Sequence, residues 1–367
     1  MLNWPHIECT IYHALQLPDK VDGHREWYVP NDFFVESFHI RERTPYPNNS
    51  IFIFGQFSNN FDPSYVYQRN SWFNGSIAHL KNVIVTPCST PMDHNTLYLF
   101  AYPFRYDSIW GIPKGKVKYE YECAICLGHG AVKRYYGHFF FDFLDPLVIF
   151  PQEIVKKSVL LNVPNYTHGD ATKFLKALGI EDWQIKYHDG NFSFVHDYYC
   201  CYAPVPGIWH LSSTIERVSN ALKKFYNTSE IKPTRYVLAN RKKYRYFTNF
   251  NALTNAVKKQ FPEHNWEIIE DGISVEESAK QYSTILFMYT ITGSNLCRLY
   301  FMNAGGLVVD AQGDYNDYAM QSIALVNRFK IVVYRMKGVI HDKTKKVYVN
   351  ITEAIHYIDF GLQKLKE

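Results

Sequence analysis

The chain has 367 residues, with 39 Lys and Arg against 35 Asp and Glu, 47% apolar and 20% charged side chains. This composition excludes intrinsic disorder, and the length asks for two domains, because a single core stops growing at roughly 250–300 residues. A net charge of +4 excludes a polybasic or polyacidic role for the whole chain and leaves room for a locally basic pocket.

Residues 1 to about 50 are rich in Pro, His and charge, lack a signal-peptide layout, and read as irregular. Short apolar runs follow at 51–54 and 83–85, and 117–127 reads as a strand that exits through Gly128-His129-Gly130. Residues 137–150 have helical apolar spacing. Strands are expected at 158–163 and 192–199, with a helix at 171–178 between them. Cys201-Tyr-Ala-Pro-Val-Pro-Gly207 reads as a linker, which divides the chain into domains 1–205 and 206–367. A helix from 210 to 225 opens the second domain. Its strands are expected near 236–238, 266–269, 285–289, 306–309 and 330–334, and its helices near 250–260, 274–282, 293–302 and 317–326. Ser274 and Glu277 suggest a capping box, and 351–366 is an amphipathic C-terminal helix. This alternation predicts βαβ units and an α/β, doubly wound architecture of two Rossmann-like halves, with a ligand beyond the carboxyl ends of the strands.

No run reaches the roughly 20 apolar residues of a bilayer span, so no membrane span is expected in this chain. Seven cysteines, an odd number, imply no disulfide framework. Cys123-Ala-Ile-Cys126 lacks a second ligand pair, and adjacent Cys200 and Cys201 chelate poorly, so no metal is expected.

Four segments carry polar groups suited to chemistry. Thr292-Gly293-Ser294-Asn295-Leu296 follows an apolar strand, and free N–H groups at the helix start that it predicts would suit a diphosphate; an ordinary N-cap is the plainer reading. Asp310 ends the run Leu307-Val-Val, where a carboxylate can accept ribose hydroxyls or serve as a loop acid. Arg241 and Arg245 follow the strand at 236–238 and could neutralise a diphosphate, bind nucleic acid among the tyrosines, or lie solvated. His138 and Asp142 share one helix face at i and i+4, as a general base with its partner or as a structural pair.

Together these segments resemble glycosyltransferase family 61 over about 136–336. Gly137-His138-Phe-Phe-Phe-Asp142-Phe-Leu-Asp-Pro146-Leu147 resembles the family's H-x-x-x-D-x-L-x-P-L block. Asn240-Arg241-Lys-Lys-Tyr-Arg245-Tyr-Phe-Thr-Asn249 resembles S-R-x-x-x-R-x-x-x-N. Thr292-Gly293-Ser-Asn-Leu296 through Phe301-Met302 and Gly306-Leu-Val-Val-Asp310 resembles H-G-A-G-L…F…G-x-x-V-x-E. Thr292 stands where the family has histidine, Asn295 where it has its second glycine, and Asp310 where it has glutamate.

The resemblance implies a GT-B-like fold with a C-terminal helix. It also implies an inverting, metal-independent transfer from a nucleotide sugar, usually a uridine diphosphate (UDP) sugar, to a glycan or protein hydroxyl, with no cofactor beyond the donor. By carry-over, Arg241, Arg245, Asn249, Thr292, Gly293, Ser294, Asn295 and Asp310 are donor-binding, and His138 and Asp142 are catalytic on the acceptor side. The resemblance points to the Golgi or endoplasmic reticulum lumen if an anchor is missing from the chain, and otherwise to the cytoplasm. Sequons at Asn48, Asn74, Asn165, Asn191, Asn227 and Asn350 are compatible with a lumenal history. The rivals are an inactive GT-B-like binding protein, motivated by Thr292, and a nucleic-acid binder built on 240–247; no nucleic-acid partner is expected.

Overall fold

The structure is a computed structural model. It describes residues 34–43, 46, 50–58, 64, 66–67, 72–87, 89, 91–92, 117–127, 132, 135–165, 170–202, 214–340 and 344–367. The expected strand exit at 128–130 and the linker from 203 onward lie outside these residues. The chain divides into two α/β units, Met1–Arg43 with Phe73–Trp209, and Thr44–Trp72 with His210–Glu367.

The first unit contains β1 (Phe34–Arg43), β3 (Trp72–Val85), β4 (Pro91–Met92), β5 (Val117–Ile125), β6 (Val159–Val163), β7 (Ile185–Tyr187) and β8 (Phe192–Tyr202). They form one sheet of order β1-β3-β8-β5-β6-β7, with β4 on β3. β8, β5, β6 and β7 run parallel, whereas β3 is antiparallel to β8 and to β4. The sheet is therefore mixed and only its parallel part is Rossmann-like, a correction to the expected parallel half. The irregular reading of residues 1–50 also fails at β1, where charged and polar residues fill a strand without clean alternation.

The expected helix at 137–150 is broken into three pieces: α1 (Tyr136–Phe139), a π-helical turn (Phe140–Leu144) and α2 (Asp145–Leu147). Pro146 explains the break. It has no N–H for the carbonyl of Asp142 and its ring crowds that carbonyl, and the chain relaxes by bonding Asp145 N–H to Phe140 O, five residues back. The short helix α3 (Gln152–Lys157) follows, and α4 (Asp170–Ala177) crosses between β6 and β7.

The second unit is a six-stranded, wholly parallel sheet of order β11-β9-β12-β13-β14-β2. Its strands are β2 (Ile51–Phe54), β9 (Arg235–Ala239), β11 (Trp266–Ile269), β12 (Ile285–Ile291), β13 (Leu307–Gln312) and β14 (Lys330–Arg335). Strands such as Ile-Leu-Phe-Met-Tyr-Thr-Ile are nearly continuous apolar runs because helices cover both sides of a parallel sheet. The connecting helices are α5 (Thr214–Phe225), α6 (Phe250–Gln260), α7 (Val275–Tyr282), α8 (Tyr318–Val326) and α9 (Ile351–Lys366). A two-stranded ribbon, β10 (Tyr246–Phe247) with β15 (Lys346–Val347), lies apart from the main sheet.

β2 is the element most displaced from its sequence neighbours. It pairs with β14 through Ile51↔Ile331 to Phe54↔Tyr334. Its Phe52 and Phe54 lie edge-on to Phe360 of α9, with ring centroids 5.6 and 5.0 Å apart. α9 reaches the sheet because Gly361 leaves no room for a side chain: a Cβ there would meet Val309 Cγ2 at 2.9 Å and Leu307 Cδ2 at 3.0 Å. Gly361→Val is expected to cost about 1–3 kcal/mol by overpacking, read as a lower denaturant midpoint at unchanged slope. An unchanged midpoint would show that the helix can lift without penalty.

Candidate active site

Read in chain order, β11-β9-β12-β13-β14 is 2-1-3-4-5, so the strand order reverses between β9 and β12. In open parallel sheets ligands bind beyond the carboxyl strand ends at such a reversal. The segments leaving those two ends are 240–247 and 292–295. Asn240 shapes the first. Its Oδ1 accepts from the N–H groups of Arg241 at 2.9 Å and Phe247 at 2.8 Å, while its Nδ2 donates to Phe247 O at 3.0 Å. The loop so closed holds Arg245 at φ +50°, a left-handed conformation costly for a residue with a Cβ.

Arg241 lies directly on Gly293. At Gly293 φ is 156°, and a Cβ added there would fall within the Arg241 guanidinium. Arg241 Nη1 donates to Thr292 O at 3.2 Å, and its Nε is buried with no hydrogen-bond partner. Burial, followed by repulsion from Arg245, pushes the guanidinium pKa down to about 10, with Asp271 opposing. A partly buried cation with an unspent donor and a like-charged neighbour is an arrangement that an anion would stabilise.

The expected α-helix at 293–302 is a 3₁₀ helix, Ser294–Phe301, whose first bond runs from Leu296 N to Gly293 O at 2.8 Å. Apolar spacing over eight residues does not separate the two helix types. The amides of Ser294 and Asn295 precede that first bond, so the strand–glycine–helix turn still ends in early N–H groups. Asn295 Oδ1 is a further buried polar atom without a partner.

Asp310 differs from its expected position. β13 runs two residues past it, and the side chain is fully buried rather than displayed at a strand end. Its Oδ2 accepts from Gln312 Nε2 at 2.7 Å, and Gln312 Oε1 in turn accepts from Asp317 N, the N-cap of α8, at 2.8 Å. Asp310 Oδ1 and the neighbouring Thr292 Oγ1 are both buried without a completed hydrogen bond. Burial pushes the Asp310 carboxyl up to about 7; Asp317 adds to the rise, while Gln312, Arg245 and Thr292 resist it.

Between the ordinary carboxyl value of 3.8 and about 7 the native state holds a proton that the unfolded chain has lost. Native stability is therefore expected to fall as pH rises through that window, by roughly 4 kcal/mol at most. Asp310→Asn removes the titration, and its melting temperature should lose this component of the pH slope between pH 4 and 7. An identical slope in the variant would show that Asp310 titrates normally.

Asn249 does not join these groups through its amide. Its Nδ2 donates to Val349 O at 2.9 Å and its Oδ1 accepts from Val349 N at 3.0 Å, which clamps the ribbon to the start of α6. His138 and Asp142 belong to the first unit, in α1 and the π-helical turn that follow β5. Their side chains meet at 2.5 Å between His138 Nδ1 and Asp142 Oδ2. The structure thus brings Arg241, Arg245, Thr292, Gly293 and Asp310 together in one unit and His138 with Asp142 in the other. Gln312 was missed in the sequence, although its i, i+2 spacing from Asp310 puts both on one side of β13. Among the described residues no group of three or more His, Cys, Asp or Glu side chains is placed to hold a metal ion, and no helix is long and apolar enough to cross a membrane.

A parallel sheet with cationic groups and early helix N–H groups at its order reversal is an α/β arrangement suited to an anionic ligand. More specifically, the family model described as Glycosyltransferase 61 matches residues 136–309, from α1 into β13, within the stretch whose sequence resembles that family. No curated protein matches the chain. Among solved structures it is similar to the metal-soaked Flv1 flavodiiron core from Synechocystis sp. PCC6803, at 11% identity and a TM-score of 0.26. That match covers 79% of this chain and 64% of the other, and at such a score it carries no argument.

Proposed function

We propose that the chain is an inverting, metal-independent glycosyltransferase that takes a sugar from a UDP sugar, with the donor diphosphate held in the second unit. The observation that carries the reading is the Arg241 guanidinium on Gly293 beside Arg245, with its Nε unpartnered. A departing diphosphate gains negative charge as the glycosidic bond breaks, and fixed cations and N–H groups aimed at it lower that barrier. Arg241, Arg245 and the amides of Ser294 and Asn295 are assigned to that task. Asp310 and Thr292 act from beneath, through Arg245 and the strand ends. His138, held by Asp142, deprotonates the acceptor hydroxyl. The GT-B-like architecture is part of the same proposal and rests on the family resemblance.

The test is a thermal-shift panel of UDP, UDP-N-acetylglucosamine, UDP-xylose and UDP-arabinose, against adenosine and guanosine diphosphates, with and without EDTA. A ligand at a hundredfold excess over its dissociation constant adds about 2.7 kcal/mol of stability. A uridine-selective shift that survives EDTA is expected, followed by sugar release or transfer for one donor. No shift with any nucleotide would overturn the donor assignment, and a shift abolished by EDTA would overturn metal independence.

A further inference from the structure

The β10–β15 ribbon stands outside the donor machinery and has an uncommon surface. Phe247, Val347 and Val349 are buried in the core of the second unit and anchor it. Alternation along the strand then turns Lys346 and Tyr348 outward, and Tyr348 is 79% exposed, as a structural tyrosine seldom is. Tyr246 pairs with Lys346, and Lys345 Nζ sits 5.6 Å from the centroid of the exposed Tyr244 ring. Segments 243–248 and 344–349 hold four cationic side chains, Lys243, Arg245, Lys345 and Lys346, and no carboxylate. Arg245 is assigned to the donor diphosphate, which leaves Lys243, Lys345 and Lys346 as exposed cations beside it. Lys242, next in the loop, is matched by Glu270 at 3.1 Å, whereas Lys243, Lys345 and Lys346 have no carboxylate partner among the described residues.

We propose that this ribbon binds an anionic glycan, part of the acceptor chain, whose acid groups meet Lys243, Lys345 and Lys346 and whose sugar ring stacks on Tyr348. The identification of the glycan as acceptor rests on the transferase reading; the binding itself does not. Exposed lysines are mobile point charges suited to scattered carboxylates or sulfates, and an exposed flat ring offers an apolar surface to the C–H side of a sugar. The loop that carries Lys243 and Tyr244 is also the loop that carries Arg241 and Arg245, so a glycan on the ribbon lies next to the proposed donor site.

The test compares the full chain with the variant Lys243→Glu/Lys345→Glu/Lys346→Glu and with Tyr348→Ala. Titrations use hexagalacturonate, a heparin-derived hexasaccharide, neutral xylohexaose and a single-stranded oligonucleotide of matching charge, at two salt concentrations, with UDP binding measured in parallel. An acidic hexasaccharide is expected to bind at least about tenfold tighter than xylohexaose and the oligonucleotide. The triple variant should lose roughly tenfold or more, as several exposed charge contacts reversed together would, and leave UDP binding unchanged. Tyr348→Ala should lose a few-fold that persists at the higher salt, a readout that charge alone does not move. Equal affinity for the oligonucleotide would reduce the surface to a general polyanion patch and overturn the proposal, as would an unaffected triple variant. Loss of UDP binding in the wild-type chain with retained glycan binding would sink the donor reading and leave the ribbon standing.

Discussion

Gly293→Ala is expected to weaken UDP binding at least about tenfold while the chain stays folded. The added methyl must occupy the space of the Arg241 guanidinium, and a guanidinium at the end of a flexible side chain moves more readily than a strand end. Displacement removes the bond to Thr292 O and carries the charge away from the anion position. Charge-assisted bonds of this kind contribute about 1.5–3 kcal/mol each, so a weakening of roughly 10–150-fold follows from one lost contact and more from two. The φ of 156° adds a local strain cost of order 1–3 kcal/mol to the folded state, visible as a modest drop in melting temperature. The two residues are coupled, and a double-mutant cycle measures it: once Arg241→Ala has removed the guanidinium, Gly293→Ala has nothing left to displace and should weaken UDP binding little further. Additive losses would mean that Gly293 serves the donor by its own backbone approach, independently of Arg241.

How much of this was legible in the sequence depends on how local each cause is. The bounds of α6, β11 and α9 coincide with the sequence reading, because buried apolar runs and amphipathic spacing between turn residues are local signals. The capping box at Ser274 is half present: Glu277 N donates to Ser274 Oγ at 3.1 Å, while the Glu277 carboxylate accepts from Gln281 instead. Of β3, only its last residues were visible, since Asn74, Gly75 and Asn82 interrupt the pattern, and Asn82 takes φ +55° within the strand. The destination of β2 was not legible at all. Its partner lies some 280 residues away, and a short apolar run carries no address. At the site, residue identities were readable as a motif, but the stacking of Arg241 on Gly293 and the burial of Asp310 are tertiary facts that no spacing encodes.

The pair in the first unit leads to the sharpest kinetic expectation. Asp142 Oδ2 lies 2.5 Å from His138 Nδ1; a carboxylate there favours the imidazole tautomer protonated on Nδ1, in which Nε2 is the nitrogen that can take a proton. Pro146 is part of this geometry, since the widened turn it forces carries Asp142. His138→Ala is expected to lower kcat by 10²–10⁴-fold, the usual contribution of a general base, with little effect on UDP binding. Asp142→Asn tests the orientation itself. An amide can donate to Nδ1 and thereby place the ring proton on Nε2, so the histidine remains in position but cannot accept a proton. Loss of kcat in Asp142→Asn on the scale of His138→Ala, with the fold and donor affinity intact, is the expected result. A structural pair predicts the opposite pattern: both variants would lower the melting temperature, and turnover per folded molecule would stay near wild type. Solvent-exposed acceptor mimics with more acidic hydroxyls supply a further discriminant, because an acceptor that needs less help from a base should recover rate in both variants if His138 removes its proton.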